Sequence, residues 1–271
     1  MSPGLAHGVS VAARAGLATA AVAALAYLAA PGVAVLATLA AGVAITAFEL
    51  SRVRASLDRR LDELSADVAQ IEPLLALHGR LAARRPLPAM RGFAIAPDFA
   101  LLLTELIADE RPELVVETGS GVSTLVIAYC LEKLGRGRVV ALEHDAGYAA
   151  ATRAELERHG LSSYATVVHA PLEPLELDGE RHRWYARAAL ADLPPIDLVV
   201  DDGPPRYLGD MLRYASLPVL ASRMAPRGVF VLDVIADEER AILARWSQEL
   251  PEFRQLRLDT KKGNAILRRA A

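Results

Sequence analysis

The chain has little cysteine, little net charge and, over one long stretch, no charge at all. Cys130 is the single cysteine among 271 residues. An internal disulfide and a metal–thiolate cluster are thereby excluded, and a reducing compartment fits. Cys130 sits in an apolar helical stretch and reads as core. Thirty Lys and Arg stand against 33 Asp and Glu, giving a formal charge of −3. That balance implies no polyanionic partner, so no nucleic acid is expected. Internal repeats are lacking too, and the only biased segment is an alanine-rich front.

From Ala15 to Phe48 no residue is charged, a stretch of 34 positions. One helix of that length would extend about 51 Å, against a hydrocarbon core of about 30 Å. Pro31-Gly32 lies at its middle, where a turn is natural. The pattern predicts a transmembrane hairpin with spans of roughly 9–30 and 33–49. The alternatives are one tilted span kinked at Pro31 and a buried soluble hairpin; a cleaved signal peptide fits less well, because the run outlasts an h-region. Arg52, Arg54, Arg59 and Arg60 follow directly. The positive-inside rule then places the rest of the chain in the cytoplasm at the cell membrane.

Residues 50–90 read as a helical linker. Leu50, Leu57, Leu64 and Ile71 alternate with Leu61, Val68 and Leu75 at three-four spacing. That seam predicts either a short coiled coil, giving a homodimer through 50–78, or a helix lying against its own domain. Arg80, Arg84, Arg85 and Arg91, with Pro86 and Pro88 among them, look like a basic linker able to meet anionic headgroups.

The third region, 91–271, is organised around Leu114–Asp145. A short apolar strand ends in Glu117, and Thr118-Gly119-Ser120-Gly121 makes a small-residue turn. A helix follows over Val122–Leu134, and a second strand, Val139–Leu142, ends in Glu143 about 20 residues past the turn. Glycines let backbone approach a ligand closely, and an acid at that strand tip can take both ribose hydroxyls. The unit therefore reads as nucleoside-binding. A dinucleotide fingerprint would need Gly or Ala where Thr124 stands, and the carboxylate of Glu117 repels a pyrophosphate but suits a cationic ligand.

Further along, a helix is predicted over Phe99–Ala108, with Pro97-Asp98 before it, and another over Gly147–His159. A strand follows at Ala165–His169, and then a long connection, Ala170–Pro195, of the kind that is usually functional. Strand Ile196–Val200 ends in Asp201-Asp202-Gly203-Pro204-Pro205, and helix Leu208–Leu220 leads to strand Val229–Leu232 and Asp233. Helix Glu238–Leu250 precedes strands at about Phe253–Leu258 and Asn264–Leu267. This alternation predicts an α/β fold with a mostly parallel sheet and one antiparallel member. Right-handed crossovers bring Glu117, Glu143, Asp201, Asp202 and Asp233 to one sheet edge.

The segments VVETGSGVSTL, VVALEHD, HAPL, WY, IDLVVDDGPP, APRGVFVLD and KKGNAIL resemble those of bacterial class I S-adenosylmethionine (SAM) methyltransferases over about Leu75–Leu267. The group is distantly similar to catechol and caffeoyl-CoA O-methyltransferases. The resemblance implies a Rossmann-like seven-stranded sheet, SAM as cofactor, and methyl transfer to an oxygen or nitrogen of a small-molecule or lipid-linked acceptor. It implies that Glu117, Gly119, Ser120, Gly121 and Ser123 line the methionine end of SAM. Glu143 would hold the ribose, with His144 and Pro171 bordering the adenine. Trp184 and Tyr185 read as packing rather than as a lid or acceptor wall. Asp202, with Asp201 as its alternate, is the candidate for chemistry; the bland reading is that it closes its turn. The relatives' divalent metal would fall on Asp202 and Asp233, but Val234 replaces an oxygen ligand, which disfavours the ion. Two competing functions are an NAD-dependent oxidoreductase and a non-catalytic membrane-bound module of the same fold.

Overall fold

The computed structural model describes residues 31–90, 92–233 and 236–270. The chain divides after Asp67 into two units. In the first, helix α1 (Pro31–Val68) runs unbroken for 38 residues, about 57 Å long. It runs on through residue 49, where the sequence places the end of the second span and the start of the helical linker. Charge changes the surroundings a helix face prefers, but nothing near Glu49 interrupts its hydrogen bonds. Among the described residues this is the one helix long and apolar enough to cross a membrane. The expected first span, 9–30, lies outside the described residues. Leu50, Leu57, Leu61 and Leu64 are exposed along α1. The predicted seam does not continue to Ile71, because a turn at Ala69-Gln70 ends the helix.

The second unit starts at Val68. Helix α2 (Ile71–Leu81) buries Leu77 and Leu81. Helix α3 (Pro97–Glu110) begins on Pro97, whose fixed φ suits a first helical position. Strand β1 (Leu114–Thr118) is buried throughout, as a central parallel strand should be. Helix α4 (Val122–Leu134), strand β2 (Arg138–Glu143), helix α5 (Ala146–Arg158) and strand β3 (Ala165–His169) follow. After a hairpin of β4 (Leu172–Leu177) and β5 (Glu180–Tyr185) come β6 (Ile196–Asp201), α6 (Ser216–Ala221) and β7 (Met224–Asp233). Helix α7 (Asp237–Glu249) and strands β8 (Phe253–Leu258) and β9 (Asn264–Arg269) complete the chain.

Seven strands form one sheet in the order β3-β2-β1-β6-β7-β9-β8. Only β9 runs against the rest, pairing antiparallel with both β7 and β8. The expected Rossmann-like sheet with one reversed member is therefore present. Alternation along the strands splits the core in two. Val115, Val139, Leu198 and Val231 pack with α2, α3 and α4 on one face. Val116, Val140, Val199 and Phe230 pack with Trp184, Tyr214 and Trp246 on the other.

Two expectations fail locally. The long connection 170–195 holds the β4–β5 hairpin, closed by Asp178-Gly179 with both φ positive. That dipeptide is a strong two-residue hairpin signal, masked here by the charged residues of both strands. The helix expected over 208–220 is instead two 3₁₀ turns and the short α6. Pro218 cannot donate a backbone hydrogen bond, so an α-helix can start only within a turn of it.

The basic segment after α2 is also not free. The Arg84 side chain reaches Glu132 at 2.7 Å and donates to the His159 carbonyl at 2.7 Å. The Arg84 backbone amide donates to the Tyr129 hydroxyl, which bonds His159 Nδ1. Arg80 pairs with Glu105. These two arginines clamp residues 80–84 onto α3, α4 and the end of α5, so neither is available to headgroups. Arg84→Ala should lower stability by about 1–2 kcal/mol, since it removes charge-assisted bonds at a half-exposed site. Urea unfolding checks this, and Arg84→Lys should recover only part of the loss because it cannot span both partners.

Candidate active site

The C-terminal ends of β1, β2, β6 and β7 carry the acids the sequence placed there, and register sorts them into two depths. Glu117, one residue inside β1, is fully buried. Its carboxylate accepts from Thr124 Oγ1 at 2.6 Å, and Thr124 Oγ1 also accepts from the Gly121 amide at 3.1 Å. The residue that breaks the dinucleotide fingerprint thus braces the first acid. Burial pushes Glu117 up to about 7, opposed by hydrogen bonds from Ser123 and Thr124. Glu117 and Ser123 are consequently buried beneath the turn and Gly121 closes it, and none of the three lines the cleft above.

That cleft, about 110 Å³, is lined by Gly119, Ser120, Glu143, His144, Tyr185 and Asp202 among others. The Glu143 carboxylate accepts from Ser120 Oγ at 2.9 Å and from the Asp145 amide at 3.0 Å, with His144 Nδ1 2.9 Å away. Its position is fixed before any ligand arrives. Gly119 has φ +94 and lies against the backbone of Asp202 and Gly203. A Cβ on Gly203 would stand 2.5 Å from the Tyr185 hydroxyl and 3.3 Å from Gly119. Two strand ends therefore meet through glycines, and this close approach forms the cleft floor. Pro171 lies outside the cleft wall; its carbonyl accepts from the Ala186 amide.

Asp201 and Asp202 point in different directions, as alternation requires. Asp201 is buried and accepts from Thr118 Oγ1 at 2.6 Å, directly across the β1–β6 pairing. Burial pushes it up to about 6, with Arg213 and Thr118 opposing. Asp202 faces the cleft with 14% of its side chain exposed. Burial and then Asp233 hold Asp202 well above the usual carboxylate range, with Arg213 opposing. The Arg213 guanidinium donates to the carbonyls of Asp233 at 2.7 Å and Asp202 at 2.9 Å, and lies 3.8 Å from the Asp202 carboxylate. Burial works against its charge, but Asp201, Asp202, Glu239 and Asp233 outweigh it and raise its pKa.

A second cavity, about 460 Å³, adjoins the first and shares Phe93, Asp202, Pro205 and Tyr207 with it. The Phe93 and Tyr207 rings are 5.8 Å apart and 74% and 68% exposed. Sequence reasoning missed Arg213, Phe93, Tyr148 and Tyr207. Arg213 lay inside a predicted helix, and single aromatics in loops carry no spacing signal. A further cavity of about 350 Å³ beside Tyr129 and Cys130 lies on the α3–α4 side, away from the acids. Burial pushes the Cys130 thiol up to about 12, so it stays protonated and inert.

The metal hypothesis meets a poor donor set. Asp233 Oδ1 already accepts from Asn264 Nδ2 at 2.8 Å, and the buried Arg213 cation stands beside Asp202. Val234 lies outside the described residues and has no side-chain oxygen. Two carboxylates neutralised by a guanidinium do not make the oxygen cage Mg²⁺ demands.

The raised pKa of Glu117 makes a pH prediction. The native state keeps its proton over about pH 4.5 to 7 while the unfolded chain loses it, so this group's contribution falls as pH rises through that window. Glu117→Gln should therefore gain stability relative to the unsubstituted chain between pH 5 and pH 8.5, by on the order of 3 kcal/mol. Urea unfolding of both proteins at the two pH values measures the difference.

Comparisons with known proteins bear on the same region. Residues 116–235 match a family model described as a methyltransferase domain. Among solved structures, SAH-bound PaMTH1, a methyltransferase of Podospora anserina, is 17% identical with a TM-score of 0.52, covering 79% of this chain and 96% of its own. The O-methyltransferase TomG of Streptomyces achromogenes, in complex with SAM, is 15% identical with a TM-score of 0.50, covering 80% and 96%. At such identities the likeness speaks to the fold. No curated protein matches the chain. The family match over the glycine turn and all four acidic strand ends, set in this sheet order, supports a class I SAM-dependent methyltransferase domain in this chain.

Proposed function

We propose that the chain is a membrane-anchored enzyme that moves the methyl group of SAM to an oxygen or nitrogen of a small-molecule or lipid-linked acceptor at the cytoplasmic face. The observation that carries the cofactor part is Glu143, pre-oriented by Ser120 and Asp145 at the rim of a glycine-floored cleft. Its carboxylate takes the ribose hydroxyls, Gly119 and Ser120 border the methionine portion, and His144 borders the base. SAH in PaMTH1 and SAM in TomG support the same ligand here. Glu117 beneath the turn supplies negative charge under a sulfonium, an arrangement hostile to a pyrophosphate.

The adjoining cavity at Asp202 is the place for the acceptor, because it opens on the same carboxylate as the cofactor cleft. Bound SAM would supply an electrophilic methyl group whose carbon–sulfur electrons leave with the thioether, and Asp202, Pro205 and Tyr207, shared by both cavities, would hold the acceptor's lone pair in line with it. Much of the rate gain comes from holding these atoms in line. Asp202 takes the acceptor's proton. In the empty site burial, and then the neighbouring Asp233, hold Asp202 above the usual carboxylate range. Positive charge beside it would favour the ionised form that acts as the base. The residues call for no metal in this step.

The anchoring part rests on α1, its uncharged stretch and the arginines that follow. The exposed Leu50, Leu57, Leu61 and Leu64 support pairing of two chains along the same helix.

Three outcomes test the proposal. Glu143→Ala should leave the fold intact and weaken SAM binding by about 2–3 kcal/mol, the cost of a charge-assisted hydrogen-bond pair; an unchanged affinity in calorimetry removes Glu143 from the site. Asp202→Asn should abolish transfer of labelled methyl to a membrane extract while SAM still binds, and EDTA should leave the unsubstituted activity intact. Loss of activity in EDTA, restored by Mg²⁺, would refute the metal-free step alone. The full chain should sediment with membranes and resist carbonate, and a monodisperse full-length protein in detergent-free buffer would contradict the anchor.

A further inference from the structure

Tyr185 is a buried polar group beside the cleft that the mechanism leaves unused. Its side chain is 1% exposed, and its hydroxyl has no hydrogen-bond partner among the described residues. It ends β5, the inner strand-end of the hairpin that takes up the expected loop. Its neighbour Trp184 is fully accounted for: the indole packs in the core and donates to Ser216 Oγ at 3.1 Å. Tyr185 is different. Its ring packs beside Trp184 while its hydroxyl reaches the cleft, against Gly203 and the Gly119 approach.

An unpaired buried hydroxyl destabilises a protein unless something else uses it. The surroundings say what that would be. Glu143, Asp201 and Asp202 are all near enough to raise its pKa, after burial itself, and Arg213 only partly opposes them. The hydroxyl therefore keeps its proton and is available as a donor. Meanwhile the cleft wall holds two carboxylates, Glu143 and Asp202, and neither Lys nor Arg. A zwitterionic ligand finds anionic partners there for its amino group and sulfonium. Its own carboxylate finds no cation. A neutral donor is what such a cleft must provide, and Ser120, the nearest alternative, already donates to Glu143.

We infer that the Tyr185 hydroxyl donates a hydrogen bond to the α-carboxylate of the amino-acid portion of the cofactor. This rests on the SAM reading above and assigns a residue to the end of the ligand that Glu143 does not touch. The hairpin β4–β5 then joins the turn after β1 in reading the amino-acid half, while the tip of β2 reads the nucleoside half. The same hydroxyl is a cost to the empty protein and a gain to the loaded one.

That opposition supplies the test. The full chain in detergent and its Tyr185→Phe variant are titrated calorimetrically with S-adenosylhomocysteine and with 5′-methylthioadenosine, which lacks the whole amino-acid moiety, carboxylate and amino group together. Melting temperatures of both empty proteins are recorded alongside. The variant should bind S-adenosylhomocysteine about tenfold more weakly and 5′-methylthioadenosine within twofold of the unsubstituted chain, with an unchanged or higher melting temperature when empty. Equal weakening for both ligands would place the hydroxyl on the nucleoside instead and overturn the assignment. Unchanged affinity for both, or a lowered melting temperature with unchanged affinity, would show a purely structural tyrosine and overturn it too. Failure of the unsubstituted chain to bind S-adenosylhomocysteine would remove the cofactor reading itself, a result separable from the others because it precedes any substitution.

Discussion

Arg213 is the one Lys or Arg side chain buried among the described residues, and it lies where β6 and β7 end. Parallel strands that finish on acids crowd carboxylates into a region of low dielectric, where each charge raises the cost of the next. Asp201, Asp202, Asp233 and Glu239 all act on this one guanidinium. By donating to the carbonyls of both Asp202 and Asp233, it also ties together the two loops that bear the acids. Without that cation the edge could hold its acids only as neutral carboxyls. A buried charge of this kind is weak evidence for stability in itself; its value here lies in holding Asp202 and Asp233 close to one another.

The remaining acids divide by depth, and depth divides their work. Glu117 and Asp201 sit inside the strands, one oxygen of each held by Thr124 or Thr118 across a short distance. They set the field under the cleft. Glu143 and Asp202, one step further out, face it. Period-two alternation and parallel register produce this arrangement from a handful of strand-end residues. Glycines 119 and 203 then let two strand ends approach closely enough for one ligand to touch both.

Much of this could be read from the sequence because it is periodic or local. The sheet, the helix Val122–Leu134 and the acids at the edge follow from apolar runs, glycine turns and strand endings. The β4–β5 hairpin escaped because its strands carry charge on their exposed face, although Asp178-Gly179 announced the turn. Residues 208–220 escaped because an apolar pattern does not reveal backbone broken by Gly209 and Pro218. Arg213, Tyr185 and the Phe93–Tyr207 pair could not be placed at all. Their meaning comes from neighbours tens of residues distant, which no local spacing encodes. The opposite error befell Arg80 and Arg84, where a basic run looked solvated yet holds α2 and its following segment to the domain.

An acidic cleft floored by glycine, next to a cavity sharing Asp202, is suited to a cationic nucleoside and unsuited to a dinucleotide's phosphates. Charge complementarity is thus the central claim, and calorimetry on the full chain in detergent tests it most directly. The account predicts saturable binding of S-adenosylmethionine at one site per chain and no heat of binding with NAD. Binding of NAD in preference to S-adenosylmethionine would contradict it.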